Sequence, residues 1–237
     1  FKSGILEGTL RERPASLRTG GQFLELDEIG ILQLSENYLG QFQQRQLPPP
    51  LHQAVLHEDL PGVRLFLRGG TSPNQRDAKG NTPLHLCGLA SRHEIAELLL
   101  AHGADVQARN RDHRTPLHHA AEIGNASFAQ LLLDHHADVN ASDSYGITPT
   151  AWAISHGRQN LALWLLEKGA NSRVTNADGR SLAWLAVQYG QPHLLQQLIR
   201  LGIDLNQPDR QRKTPLMVAR ERRDETMIRL LTEAGAQ

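Results

Sequence analysis

Hydrophobic positions along most of this chain fall on short stripes that return at a fixed interval. Ile95, Leu98 and Leu99 are spaced as one face of a helix, and Phe128, Leu131 and Leu132 repeat that spacing 33 residues later. Ahead of each stripe a shorter segment opens on the same four residues, Thr82-Pro83-Leu84-His85 and then Thr115-Pro116-Leu117-His118. Stepping on by 33 gives Thr148-Pro149, Ser181-Leu182 and Thr214-Pro215-Leu216, and stepping back gives Pro49-Pro50-Leu51-His52. Six units, starting near residues 49, 82, 115, 148, 181 and 214, keep this register without insertion or deletion.

Other positions keep the beat, and each has a physical reading. Thr followed by Pro starts a helix: the hydroxyl caps free N–H groups, and Pro is tolerated at the first helical position. The sixth position is always small (Ala54, Cys87, Ala120, Ala153, Ala186, Ala219), which lets a short first helix pack closely. Gly124, Gly157 and Gly190 suit the left-handed residue that ends that helix. A second helix carries a large apolar residue at position 18, such as Leu99, Leu132 and Leu231, and runs to a glycine or His136 at position 22. Position 29 is Asp77, Asn110, Asp143, Asn176 or Asp209, which starts a turn closed in one unit by Gly146.

A helix–helix–turn unit of this length carrying Thr-Pro-Leu-His resembles the ankyrin repeat. The match covers residues 48–237, about four-fifths of the chain. The resemblance implies an all-α solenoid of paired antiparallel helices with β-hairpin loops projecting sideways. It also implies that His85 and His118 make structural hydrogen bonds between neighbouring loops. Asparagines at the slot of Asn140 can be hydroxylated in eukaryotic members, although a plain backbone-bonding role accounts for this residue. Departures cluster at the ends. Unit 1 lacks the Thr and has Glu58 where glycine is usual, and unit 5 reads Ser181-Leu182-Ala183-Trp184. Unit 6 is rich in Arg, as a terminal repeat with one uncovered face should be.

Residues 1–47 do not follow the period and form an N-terminal extension. The stretch to Gly21 reads as loose. Phe23 to Gln46 holds many apolar residues and is read as one or two short helices capping the first repeat, with a degenerate extra repeat as the alternative.

Composition narrows the picture. Apolar residues make up 39% and aromatic residues 5%, thin for one large core and adequate for a stack of small units. Lys plus Arg equals Asp plus Glu, at 25 each, so no global field draws the chain to nucleic acid or a membrane. No run reaches the roughly 18 apolar residues that a membrane helix needs. The lone Cys87 excludes an internal disulfide and leans towards a reducing, cytoplasmic setting. The chain opens at Phe1 rather than Met, so a preceding segment is not visible.

Twelve histidines raise the question of a metal, but they lack ligand spacing. Cys87 sits in a small-residue slot, and no phosphate loop or nucleophile motif occurs. The reading is a non-catalytic module that needs no cofactor or metal, is monomeric alone, and binds another protein as adaptor, effector arm or inhibitor. The alternative is a fragment of an enzyme whose catalytic domain precedes residue 1. By the resemblance, the binding surface is the concave face lined by hairpin tips and first helices. The positions that map there include Arg111, Arg114, His119, Tyr145, Ile147, Trp152, His156, Arg180 and Tyr189. Trp, Tyr and Arg are the types that dominate binding energies. Trp152 fits either an exposed anchor or a partly buried packing role, and Trp164 is assigned to packing. The basic cluster Arg210, Arg212, Lys213, Arg220, Arg222 and Arg223 is read as a solvated capping face.

Overall fold

The computed structural model describes residues 48–88 and 92–237, together with the backbone of residues 16–19 and 22–25. They fall in two compact units. The first extends through Cys87 and takes in Ser91–Asp105, and the second comprises Gly88–Ala90 and Val106–Gln237.

The first unit opens with strands β1 (Ser16–Thr19) and β2 (Gln22–Glu25), paired antiparallel with Thr19 opposite Gln22. Within the stretch read as loose, residues 16–19 are therefore a strand, and Phe23–Glu25 are strand where helix was expected. The sequence between the strands is Gly20-Gly21, a dipeptide that favours a two-residue hairpin connection. The expected helices at 26–46 lie outside the described residues. Helices α1 (Pro50–Leu56) and α2 (Leu60–Arg68) follow, then a 3₁₀ turn (Pro83–Gly88) and α3 (His93–Ala101). Arg92, just before α3, donates through Nη2 to the Leu56 carbonyl at 3.0 Å and through Nη1 to that of Leu86 at 2.7 Å. Both carbonyls belong to helix or turn ends that lack intrahelical partners.

The second unit holds helices α4 (Pro116–Ile123), α5 (Ala126–Asp134), α6 (Pro149–Ser155) and α7 (Gln159–Glu167). It continues with α8 (Leu182–Gln188), α9 (Pro192–Arg200), α10 (Pro215–Glu221) and α11 (Glu225–Glu233). Their first residues advance by the 33-residue step read from the sequence. Each first helix packs on its own second helix. The first helices also pack in succession, α4 on α6, α6 on α8 and α8 on α10, while α7 packs on α9 and α9 on α11. Two helix layers result, with Leu117, Phe128, Leu132, Ile154, Leu165, Leu182, Leu194 and Leu198 buried among them. Ala120, Ala153, Ala186 and Ala219 are fully buried on the first helices, so their small side chains are what allow that close succession. Arg158 Nε donates to the Glu122 carbonyl at 3.1 Å, and Gln191 Nε2 donates to that of Ile154, joining each second helix to the end of the preceding first helix.

First helices start in two chemically different ways. Where His stands three residues after Thr, the imidazole does the capping: the Thr115 N–H donates to His118 Nδ1 at 3.0 Å, and the Thr115 hydroxyl lies 2.9 Å from the same nitrogen. Thr82 and His85 repeat this. Where the slot holds Ala151, Trp184 or Met217, the hydroxyl of Thr148, Ser181 or Thr214 accepts that residue's N–H directly. Gly124 ends α4 in the left-handed conformation, as expected (φ 89°). Trp164, assigned to packing, is half-buried on α7 with Lys168 Nζ 5.3 Å from its ring.

Replacing Leu132 with Ala should destabilise the protein by about 2–5 kcal/mol, since the side chain is wholly buried and truncation leaves a cavity. Leu231→Ala should be milder, because α11 packs on α9 and α10 with no described pair beyond it. Urea denaturation measures both, and hydrogen exchange protecting α11 more than α5 would contradict that ordering.

Candidate functional site

Each loop between helix pairs ends in a tip held by a single side-chain oxygen. Asn110 Oδ1 accepts the N–H groups of Asp112 and Arg114, each at 3.0 Å. Asp143 Oδ1 accepts those of Tyr145 at 2.8 Å and Ile147 at 2.9 Å. Asn176 serves Asp178 and Arg180, and Asp209 serves Gln211 and Lys213, in the same way. These are the residues of position 29, so the invariance of Asp or Asn there is explained. The two arms of each tip are also joined by one backbone bond, the Asn110 N–H donating to the Arg114 carbonyl at 2.9 Å and the Asp143 N–H to that of Ile147 at 3.0 Å, while the returning N–H goes to the side-chain oxygen. Outside the named strands one isolated bridge, Thr175 with Ser181, is found among the described residues.

In the second unit the tips are also bonded edge to edge. Ser144 N–H donates to the Asp112 carbonyl at 2.9 Å, Ala177 N–H to that of Tyr145 at 2.7 Å, and Arg210 N–H to that of Asp178 at 2.8 Å. At two of the three approaches glycine leaves the room, while His113 holds the equivalent position at the first. A Cβ on Gly146 would lie 3.0 Å from Ala177 N, and one on Gly179 would lie 3.2 Å from Arg210 N, both at positive φ. The four tips therefore form one continuous strip.

Side chains brace this strip against the first helices. Trp152, on α6, donates its Nε1–H to Asp143 Oδ2 at 2.9 Å, and the Arg114 guanidinium lies 4.0 Å above its ring centre. Arg114 Nε stands 3.9 Å from the same Asp143 oxygen. His156 stacks on Trp152 with ring centres 4.8 Å apart. A second Arg–Trp stack lies further along, with the Arg180 guanidinium 4.4 Å from the Trp184 ring centre and Arg180 Nη1 3.3 Å from Asp178 Oδ2. In each stack a guanidinium lies over an indole ring and is also close to a carboxylate of the tips.

The structure thus sorts the residues singled out in the sequence. Arg111, Tyr145, His156 and Tyr189 are exposed, with Tyr145 at 61% and Tyr189 at 49%. Arg114, His119, Ile147, Trp152 and Arg180 are half-buried. Of the two readings left open for Trp152, partial burial is the one found. Tyr145, Ile147, Arg114, Trp152 and His156 meet around one tip, while Tyr189 ends α8. Sequence reasoning missed Trp184, buried in the slot that holds His in the first three units, and it missed Asp143 as the partner of Trp152. The signal for the first was an Arg four residues before an unexpected Trp. The second pairing is made by folding and had no local signal.

His118 ties this side of the unit to its core. Its Nε2–H donates to the Ile147 carbonyl at 3.0 Å, and its Nδ1 is occupied by Thr115. Burial pushes its pKa down to about 4, only partly offset by the bond to Ile147. His52 makes the corresponding bond to the Asn81 carbonyl at 2.8 Å in the first unit and is likewise lowered by burial. Asn140 Oδ1 accepts the Asn171 N–H at 2.8 Å, so its amide links successive loops.

The family model described as "Ankyrin repeats (3 copies)" matches residues 36–110, 107–176 and 168–237. The chain belongs to the ankyrin repeat family. Ankyrin repeats are generally protein–protein interaction modules and typically non-catalytic. The match begins at residue 36, ahead of the boundary read at 48. A search of the curated proteins returned no match. Among the described residues, no helix is long and apolar enough to cross a membrane, and no three His, Cys, Asp or Glu side chains are grouped as metal ligands. The Cys87 thiol is buried and its pKa raised by that burial, the opposite of what a nucleophile needs.

Acid should loosen this ankyrin array. The folded protein keeps His118 neutral to about pH 4, whereas an unfolded chain takes up that proton near 6.5. Between those values the unfolded state binds more protons, so stability falls as the pH drops through this window and levels off below it. The contribution is on the order of 3 kcal/mol. Urea midpoints measured across the window for the wild type and His118→Gln should show a shallower slope in the variant. Trp152→Ala, which removes a partner from the buried Asp143, should lower stability by about 1–3 kcal/mol in the same assay.

Proposed function

We propose that the chain is a monomeric protein-binding module of six ankyrin repeats over residues 48–237, preceded by an extension at 1–47. Its partner docks on the tip strip and first helices from α4 to α8, and the module needs neither cofactor nor metal for this. The observation that carries the reading is Tyr145. It is the most exposed of the large hydrophobic side chains, yet its backbone is tied on both sides, its N–H to Asp143 and its carbonyl to Ala177. An amphipathic ring on a rigid support binds with little loss of conformational freedom, and Tyr ranks among the residues that dominate interfaces.

Tyr145 and Tyr189 serve as anchors, with Arg111, Arg114, His119, Ile147, His156 and Arg180 around them. Trp152 acts mainly as the bracket that fixes Arg114 and the Tyr145 tip. In a cell this fits an adaptor, an effector arm or an inhibitor, and the buried thiol of Cys87 is compatible with a cytoplasmic setting.

The test is a partner isolated by affinity capture, identified by mass spectrometry and then titrated calorimetrically as a purified protein. Tyr145→Ala with Tyr189→Ala should weaken it at least thirtyfold, about 2 kcal/mol, while leaving the melting temperature within a degree or so. Unchanged affinity in a folded double variant would place the interface elsewhere.

A further inference from the structure

The charges along the tip strip are not balanced as they are over the whole chain. Arg111, Arg210 and Arg212 are exposed at tips, and Arg114 and Arg180 stand beside them on their Trp rings. Lys213 is engaged by Glu221 at 2.7 Å, Arg180 by Asp178 at 3.3 Å, and Arg114 Nε lies 3.9 Å from Asp143, so Arg111, Arg210 and Arg212 are the cations turned to solvent at these tips. Of the four carboxylates on these tips, Asp143 and Asp209 are buried and turned inward onto backbone N–H groups and Asp178 is paired with Arg180, which leaves Asp112 towards solvent. The edge-to-edge backbone bonds make the tips one surface rather than separate loops, so these guanidiniums act on one partner together.

From this placement we infer that the docking partner presents an acidic, extended protein segment whose carboxylates pair with the Arg side chains along the strip, with Tyr145 packing between them. The inference rests on the protein-binding reading above and adds the chemistry of the partner. Guanidinium forks match carboxylates bidentately, and Arg111, Arg210 and Arg212 present theirs to solvent. A nucleic acid fits less well. Asp112 and Asp178 interrupt the path a phosphate backbone would follow, and Trp152 and Trp184 are covered by Arg rather than open for base stacking.

The experiment uses the full chain on an array of short peptides of acidic, neutral and basic composition. A single-stranded oligonucleotide and polyphosphate serve as competitors. Bound peptides should be enriched in Asp and Glu, weaken steeply as salt is raised, and lose at least about tenfold in affinity with Arg111→Glu/Arg210→Glu. Both residues are exposed, so the variant should fold, which circular dichroism checks. Arg111→Lys with Arg210→Lys, which keeps both charges and removes both forks, should lose severalfold. Peptides that depend on Tyr145 without acidic enrichment, or that survive the charge reversal, would overturn the acidic-partner inference and leave the binding face intact. Peptides indifferent to both the Tyr145→Ala and the charge-reversed variants would refute the face itself. Tighter binding of the oligonucleotide or polyphosphate would overturn the inference in favour of a phosphate polymer.

Discussion

Asp143 Oδ1 takes up the N–H groups of Tyr145 and Ile147, and its other oxygen takes the indole N–H of Trp152. A six-residue turn in water has little apolar area with which to hold one shape, so an internal acceptor must supply the constraint. Everything on this side of the second unit follows from it. A tip held in one conformation exposes its carbonyl to the next tip, and that carbonyl receives the neighbour's N–H. The strip of tips then offers fixed points over which Arg114 and Arg180 can be laid. Loss of the side-chain oxygen would leave two buried or half-buried N–H groups to find water, and the ordering of the strip would go with them.

The opposite side depends on a different economy of polar groups. Short helices have as many unsatisfied backbone groups as intrahelical bonds, so a stack of them is stable only if each end finds a partner. His118 satisfies one end at each of its nitrogens, accepting from Thr115 and donating to Ile147. Arg158 and Gln191 do the same for the carbonyl ends of the preceding first helices. Fully buried alanines allow the first helices to approach closely enough for these bonds to form. Apolar burial and end satisfaction are thus one device. Close packing brings the partners within reach, and the partners remove the penalty that close packing would otherwise carry.

How far a site can be read from a sequence depends on whether its parts belong to the repeat or interrupt it. The 33-residue register located every first-helix start in the second unit, because capping by Thr or Ser and apolar spacing act over a few residues. It also pointed to Tyr145 and Tyr189 as side chains the repeat does not need, and both are exposed. Trp152 resisted the same logic. Its slot is a surface slot in the repeat, but its partner Asp143 belongs to the tip nine residues earlier and Arg114 to the tip before that. The loops expected as hairpins are short ones, each closed by one backbone bond from the position-29 N–H, with the returning N–H taken by the local side-chain acceptor.

The period by itself determined a stack of helix pairs with small first-helix residues, capped starts and Asp or Asn at every turn, and its Thr-Pro-Leu-His resemblance pointed to the ankyrin family. These are properties of single residues and their near neighbours, and a sequence lists them directly. Only the tertiary structure decided which charges face solvent. Asp143 and Asp209 lie buried at the tips and Asp178 is paired with Arg180, while Arg111, Arg210 and Arg212 stand out in water. Net charge is a sum over the chain, whereas a partner meets the groups that remain exposed and unpaired at the surface, and which these are is settled by folding.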